Sequence, residues 1–496
     1  MALPLTLKLL DGEAPIRQQI ADSIREQVQS GALAVGYRLP TIRELARSLD
    51  VNRDTVAAAY EALAAEGLVD ARVGRGTFVR GTRPRGRATA PVALALSAGA
   101  ERLVALDRSR VAYGAGRGAI PLHALMPDAT HFPLDVFRRS LSRVLTEGGA
   151  SILGYGDPQG YPGLREVLAE RLRANGIGIG PESLVLCQGA SQGIALALRL
   201  FADVGDAVAV EEPTYPNVFA ALAALGLRPV PVPMTAAGAD LDALDRALAR
   251  PDVRGLYTIP TFHNPLGTST GLEHRRELLA IAARHGKAVI EDAYEMDLRY
   301  AGRPLPSLAA LDEDGIVVQL FSFSKSLFPG VRSGALVARG RHVEALLALR
   351  HAADLGGSLP LQAALADFVR SGAYDRHLAA QRKRLKSRRD ALLAALAHEM
   401  PCGSSWTEPE GGFQVWLELP EPLDSRELHA DALRAGVLVA PGFQFHHDGR
   451  PSRGFRLSIA QAGEDAIGEG IARLGRVVRE RMAAGAAAPR RAPIPV

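Results

Sequence analysis

Ala288-Val289-Ile290-Glu291-Asp292-Ala293-Tyr294 and Ile316-Val317-Val318-Gln319-Leu320-Phe321-Ser322-Phe323-Ser324-Lys325 decide how the larger part of this chain folds. Each opens on a short apolar run, too short for a self-sufficient helix and lacking the polar alternation of a half-solvated strand. Such runs read as strands covered on both faces. Leu184 to Cys187, Ala207 to Val210 and Gly255 to Ile259 have the same texture, and helical stretches separate them from residue 119 to about residue 480. That alternation predicts an α/β domain built on a mostly parallel sheet. In such sheets ligands bind beyond the carboxyl ends of the strands, and that is where Asp292 and Lys325 fall.

With 496 residues the chain exceeds what one hydrophobic core usually supports, so more than one folding unit is expected. No apolar run approaches the ~20 residues that cross a bilayer, and residues 1–10 carry no export signal, so no membrane partner is expected. Cys187 and Cys402 are too few for a disulfide framework or a zinc cluster, which predicts a cytoplasmic protein without a metal site. A net charge of +4 says little, but its distribution says more. Arg72, Arg75, Arg80, Arg83, Arg85 and Arg87 follow one another with no acidic residue between them, a local field suited to phosphate. For Arg80 to Arg87 a solvated basic linker is an equally good reading.

Upstream of that run the pattern is helical. Ile16, Ile20, Ile24 and Val28 share one helical face, and Gly31 follows as a stop. Thr41 caps a second helix carrying Ile42, Leu45 and Leu49, with Glu44 placed for a capping box. Asn52 caps a third, with Val56, Ala59, Tyr60 and Leu63 inward and Gly67 at its end. Leu68 to Val73 and Gly76 to Val79 then flank Gly74-Arg75 as a hairpin with a basic tip. A helix-turn-helix with a wing is the expectation for residues 1–80. Such a unit puts its second helix in the major groove, so Asn52, Arg53, Asp54 and Thr55 are its base readers. Arg53 suits guanine, Asp54 suits a cytosine amino group or the orientation of Arg53, and Arg43 suits base or phosphate. Arg72, Arg75 and Gly76 belong to the wing. Residues 81–118 read as a flexible basic linker and residues 481–496 as a disordered tail.

At the sheet, a lysine ending a buried strand is costly unless chemistry uses it. Pyridoxal 5'-phosphate supplies such a use, because its aldehyde forms a Schiff base with a lysine and a carboxylate keeps its ring nitrogen protonated. Lys325 and Asp292 take those two roles. Tyr294 and Asn264 are donors for the phenolic oxygen, and Tyr215 a ring to stack on the cofactor. Gly189, Ala190 and Ser191 open a helix whose N–H groups receive the phosphate, with Ser322, Ser324 and Arg332 completing its hydrogen bonds.

Two resemblances sharpen these expectations. Gly36 to Ala46, Asn52 to Val56, Glu66 to Val69 and Gly74 to Val79 resemble the GntR-type winged helix-turn-helix. The resemblance implies DNA contacts by Arg43, Arg53, Thr55, Arg75 and Gly76. Ala57 departs from it, since many members carry a basic residue there. The order of motifs from residue 120 to 480 resembles the fold-type I pyridoxal-phosphate transferases, which implies a large domain with the mostly parallel sheet and a smaller C-terminal α+β domain. It also implies that Tyr155, in Gly154-Tyr155-Gly156-Asp157-Pro158, serves the phosphate of a partner subunit in a homodimer. By the same resemblance Arg456, in Phe455-Arg456-Leu457-Ser458, binds a substrate carboxylate.

The combination resembles the MocR (GabR-like) regulators. It implies a DNA-binding regulator that meets an operator duplex and senses an amine or amino acid through external aldimine formation. The alternative is an active aminotransferase with a 2-oxo acid acceptor, and a cofactor that merely stabilises the fold is a third reading.

Overall fold

In this computed structural model the chain forms two compact units, residues 1–95 and 96–496. The structure describes residues 5, 7, 15–72, 76–80, 94–108, 110, 111, 113 and 118–487.

The first unit contains α1 (Ile16–Gln29), α2 (Ile42–Leu49), α3 (Arg53–Ala65), β1 (Val69–Arg72) and β2 (Gly76–Val79). Its helices start where side chains cap them. The Glu44 N–H donates to Thr41 Oγ1 at 3.2 Å while the Thr41 N–H donates to the Glu44 carboxylate at 2.8 Å, satisfying two otherwise orphaned donors. After a left-handed turn at Asp50, φ +51°, Asn52 Oδ1 accepts from the Asp54 N–H at 3.1 Å and starts α3. Ile20, Ile24, Val28, Leu45, Val56 and Leu63 form the shared core. The Tyr60 hydroxyl reaches the Pro40 carbonyl at 2.9 Å and ties α3 to the entry of α2. β1 and β2 pair antiparallel, with Arg72 opposite Gly76.

The second unit begins with α4 (Ala98–Arg108), β3 (Ile120–Pro121), α5 (Leu134–Gly148) and α6 (Pro162–Ala174). Strands and helices then alternate through β4 (Leu184–Cys187), α7 (Ala190–Phe201), β5 (Ala207–Glu212), α8 (Pro216–Leu225), β6 (Arg228–Thr235), β7 (Gly238–Ala239), α9 (Leu241–Leu248) and β8 (Val253–Thr258). The series continues with α10 (Leu272–Arg284), β9 (Ala288–Asp292), α11 (Leu308–Leu311), β10 (Val317–Ser322), β11 (Gly334–Val337) and α12 (Arg341–Ala353). Two helices, α13 (Leu359–Arg370) and α14 (Ala373–Glu399), lead to the smaller C-terminal part. It holds β12 (Ser405–Trp406), β13 (Gln414–Glu418), α15 (Ser425–Arg434), β14 (Val437–Leu438), β15 (Ala440–Pro441), β16 (Gly454–Ser458) and α16 (Glu464–Ala487).

Strand order in the large sheet is β4-β11-β10-β9-β8-β5-β6-β7. β10, β9, β8, β5 and β6 pair in parallel, while β11 runs antiparallel to both β4 and β10. Burial alternates with period two. Leu184, Leu186, Ala207, Ala209, Val289 and Val317 face one apolar layer, and Val185, Cys187, Val208, Val210, Ile290 and Val318 face the other. A sheet covered on both faces leaves its strand ends as the place for polar chemistry. The C-terminal part is a second, antiparallel sheet in the order β12-β13-β16-β15.

Two expectations are corrected. Residues 81–118 do not run as a continuous extended linker, because α4 forms within them and packs on α8. Ser97 Oγ accepts from the Ala100 N–H at 3.2 Å and opens it, and good helix formers follow; the small residues Ala98, Gly99 and Ala100 hid the pattern. Likewise α16 continues to Ala487, past the expected start of the tail at residue 481, and Arg481 Nε donates to Asp431 at 2.6 Å. Residues 488–496 lie outside the described residues.

Candidate functional site

In the first unit Arg43, Asn52 and Arg53 are exposed and Thr55 is half-buried, all on α2, α3 or the turn between them. Gly76 adopts φ +106°, and a Cβ there would stand 2.9 Å from Arg38 Nε. Arg38, a cation against the wing, was missed by the sequence reading although it lies inside Gly36-Tyr37-Arg38-Leu39-Pro40; its isolated bridge to Phe78 puts it there. Arg75 and the Arg72 side chain lie outside the described residues, as do Arg83, Arg85 and Arg87.

In the second unit a cavity of about 140 Å³ opens at the strand ends. It is lined by Leu125, Ala190, Ser191, Tyr215, Asn264, Asp292, Tyr294, Ser322, Ser324, Lys325, Pro329 and Arg332. All of these except Leu125 and Pro329 were expected from sequence. Asp292 is the last residue of β9, and Lys325 stands in the turn just after β10 rather than on the strand itself.

Asp292 is fully buried. Its Oδ2 accepts from the Tyr257 hydroxyl at 2.7 Å, while its Oδ1 has no partner among the described residues. Burial pushes this carboxyl up to about 6, since a charge there lacks solvent. A cationic N–H would satisfy the orphaned oxygen and relieve that cost. Tyr257 was missed. It sits on β8, read only as a core strand, yet a buried tyrosine hydroxyl needs a partner, and the neighbouring β9 supplies the carboxylate.

The Lys325 ammonium donates to the Leu125 carbonyl at 2.7 Å. Burial pulls it down to about 8, with Glu295 the charge that most strongly opposes the fall. Glu295, also missed, is buried. Its Oε2 accepts from Gln414 Nε2 at 3.1 Å and from the Phe413 N–H at 3.3 Å, and Oε1 has no partner among the described residues.

At the opening of α7, Gly189 has φ +87° and would bring a Cβ within 3.1 Å of Arg332 Nη2. Glycine there lets the Arg332 guanidinium lie against the helix start, where it donates to the Gln188 carbonyl at 2.8 Å. A cation beside a helix N-terminus, with Ser191, Ser322 and Ser324 around it, is a donor set that fits a phosphate dianion. Tyr215 is half-buried and its hydroxyl accepts from Asn217 Nδ2 at 2.7 Å. Asn264 Oδ1 accepts from Arg456 Nη1 at 3.1 Å, so its amide N–H groups are left for the cavity. The Tyr294 hydroxyl accepts from Gln414 Nε2 at 2.6 Å and donates to the Phe262 carbonyl at 3.4 Å. Arg456, on β16 of the smaller sheet, also donates to the His123 carbonyl at 2.6 Å and lies over the Phe445 ring. Tyr155 is apart from this set and 88% exposed.

The residues therefore fit pyridoxal phosphate: an orphaned buried carboxylate oxygen for its ring nitrogen, an amine of depressed basicity for its aldehyde, and a cationic helix start for its phosphate. Among the described residues no helix is long and apolar enough to cross a membrane.

Residues 16–79 match the bacterial regulatory proteins of the gntR family, and residues 80–474 match the aminotransferases of class I and II. The chain is 32% identical, over 94% of its length and 99% of the relative, to an uncharacterized HTH-type transcriptional regulator, YdcR of Escherichia coli (strain K12). To the probable rhizopine catabolism regulatory protein MocR of Rhizobium meliloti it is 31% identical over 93% of both. Its structure is similar to that of LysN, an alpha-aminoadipate aminotransferase from Thermus thermophilus complexed with N-(5'-phosphopyridoxyl)-L-leucine. The TM-score is 0.72 at 32% identity, covering 78% of this chain and 98% of that one.

Proposed function

The chain belongs to the MocR-like transcription regulators, which join a gntR-type helix-turn-helix to a class I and II aminotransferase domain, and from that premise we propose that its second unit senses a primary amine bearing a carboxylate. The observation that carries the reading is a single cavity in which Lys325 and the half-satisfied Asp292 meet, in the same chain as a capped reader helix. When bound, pyridoxal phosphate supplies an aldehyde that condenses with primary amines.

In this reading Lys325 holds the cofactor through its amine, Asp292 through the ring nitrogen, and Tyr215 by stacking on the ring. Asn264 directs its amide at the phenolic oxygen, Tyr294 joins it by turning its hydroxyl from the Phe262 carbonyl, and Gly189, Ala190, Ser191, Ser322, Ser324 and Arg332 surround the phosphate. Tyr155, being exposed, serves the phosphate site of a second copy in a homodimer. Arg456 receives the carboxylate, for which a guanidinium fork is the natural partner. An arriving amine competes with Lys325 for the cofactor, and Lys325 Nζ must then hold or release a proton. That switch alters the affinity of the reader for its operator, and the coupling is reciprocal.

The test is a titration of the full-length, cofactor-loaded protein with L-amino acids, following visible absorbance and the affinity for a duplex selected by the protein from random sequence. Both signals are expected to change at one midpoint. Operator affinity that ignores every amino acid would sink the reading.

On the DNA side, Arg53→Ala is expected to weaken operator binding by about 1 to 3 kcal/mol, roughly five- to 150-fold, and to relax specificity at one base pair. Arg43→Ala, if its contact is to phosphate, lowers the salt slope of binding by about one. Neither changes the visible spectrum of the loaded protein. Gel-shift titrations at several salt concentrations check both.

Lys325 also sets a pH dependence. Only the neutral amine attacks a carbonyl, so cofactor uptake by the apo protein is expected to rise with pH through about 8, well below the ordinary lysine value. Glu295→Gln removes a charge that holds the proton on Lys325, so the midpoint moves to lower pH. Rapid-mixing absorbance across the range checks the direction; a midpoint at the ordinary lysine value counts against it.

A second reading, transamination, is favoured by the completeness of the polar set, Arg456 included. Turnover of amino donors with 2-oxoglutarate at metabolic rates would support it.

A further inference from the structure

The stretch of chain that follows the reader is built into the surroundings of Arg456. α4 packs on α8, and α8 is capped by Tyr215, which lines the cavity. Shortly beyond α4, the Tyr113 ring stacks on His123 with centroids 4.1 Å apart, and its hydroxyl donates to Gln444 Oε1 at 3.3 Å. His429 meets the same ring edge-on at 5.8 Å. His123 in turn gives its carbonyl to Arg456 Nη2 at 2.6 Å, and along the same stretch of chain Leu125 gives its carbonyl to Lys325 at 2.7 Å.

Arg456 is thus half engaged. Nη1 is on Asn264 and Nη2 is on His123, while Nε is buried without a partner among the described residues, as is His123 Nδ1. A carboxylate taken in the forked manner needs two adjacent guanidinium N–H groups. Each Nη carries a second N–H, so such a carboxylate takes Nη2 together with Nη1 or with the unpartnered Nε and shares Nη2 with the His123 carbonyl. The His123 carbonyl then reports any shift of the guanidinium that the carboxylate brings, and the ring stacked upon His123 is Tyr113.

We propose that Tyr113 is a positioning residue for Arg456: by clamping His123 it sets the guanidinium for carboxylates, and it passes the state of that guanidinium to the segment joined to the DNA reader. This rests on the amine-sensing reading given above. Tyr113 does not line the cofactor cavity. Its effect is on selectivity and on coupling.

The experiment uses full-length, cofactor-loaded protein and pairs of probes that differ only in the carboxylate: each common L-amino acid, L-leucine first, against its decarboxylated amine, 3-methylbutylamine for leucine. Wild type is expected to favour the amino acid. Tyr113→Ala is expected to lose about five- to tenfold of that preference, the worth of a ring stack, with the amine's own affinity unchanged. Tyr113→Phe, which keeps the stack, retains the preference. The change in operator affinity on adding amino acid shrinks in Tyr113→Ala, while operator affinity without ligand is unaltered. Hydrogen exchange in wild type, which needs no variant, is expected to change over residues 98–113 with the amino acid and not with the amine.

Unchanged selectivity and operator response in Tyr113→Ala, or in Tyr113→Leu should the alanine variant fail to fold, overturns this proposal and leaves amine sensing intact. Exchange over residues 98–113 that responds equally to both probes overturns it as well. A wild-type protein that responds to no amine at all overturns the amine-sensing reading, and this proposal with it.

Discussion

Lys325→Ala will leave a folded protein that still binds DNA, forms no borohydride-reducible covalent link to pyridoxal phosphate, and no longer changes its operator affinity when amino acids are added. The expectation is a complete loss rather than a weakening, because the side chain that would be joined to the cofactor is gone. Folding should survive. A buried ammonium with its basicity pulled down is a burden on the apo protein, and the hydrogen bond lost with it is the one to the Leu125 carbonyl. Absorbance, circular dichroism and gel-shift titration of the same sample separate these effects. A borohydride-fixed cofactor adduct in the variant would mean that another amine holds the cofactor, and the assignment of Lys325 would fall.

Asp292→Asn should act in opposite directions on the empty and the loaded protein. The carboxyl titrates at about 6 in the fold, above its ordinary 3.8, because it is buried. A group raised in this way costs stability as pH climbs from the unfolded value through the folded one. A rise of that size corresponds to about 3 kcal/mol above that window. Asparagine carries no such charge, so the apo variant should melt at higher temperature than apo wild type at pH 8, by an amount that shrinks toward ~pH 4, where the wild-type carboxyl is protonated in the fold. With pyridoxal phosphate the order reverses. Removing one partner of a buried ion pair costs about 3 to 5 kcal/mol, so cofactor retention should fall more than a hundredfold. Calorimetric melting of both forms at the two pH values, with equilibrium dialysis of the cofactor, tests the pair of signs. A variant that keeps its cofactor as tightly as wild type removes Asp292 from the site.

What sequence reasoning could and could not see follows from the range of the interactions involved. The first unit is held by neighbours in the chain: Thr41 with Glu44, Asn52 with Asp54, and helical faces with a fixed period, so its caps and core were legible. Strand-end positions were legible too, since a charge closing a buried run stands out, as Asp292 and Lys325 do. Tyr257 and Glu295 were not, because each is given meaning by a partner across the fold: Asp292 on the next strand, and Gln414 on the smaller sheet. β11 was unread because a short apolar run shows no direction, and only its pairing with β4 and β10 makes it antiparallel. α4 was lost among small residues. It packs on the surface of α8, a partner distant in sequence that its own composition does not announce.

The scatter of the cavity residues along the chain has a consequence for the order of events at the ribosome. The helices and strands of the reader have been translated by residue 80, whereas the cavity draws on positions from Leu125 to Arg332, and the arginine bonded to its Asn264 comes at 456. Local contacts form before distant ones, and parallel strands must wait for their crossovers. On the amine-sensing reading proposed above, a growing polypeptide therefore completes its DNA-reading unit before the residues of its sensor are all present. On that reading, responsiveness arrives only when β16 has brought Arg456 to Asn264.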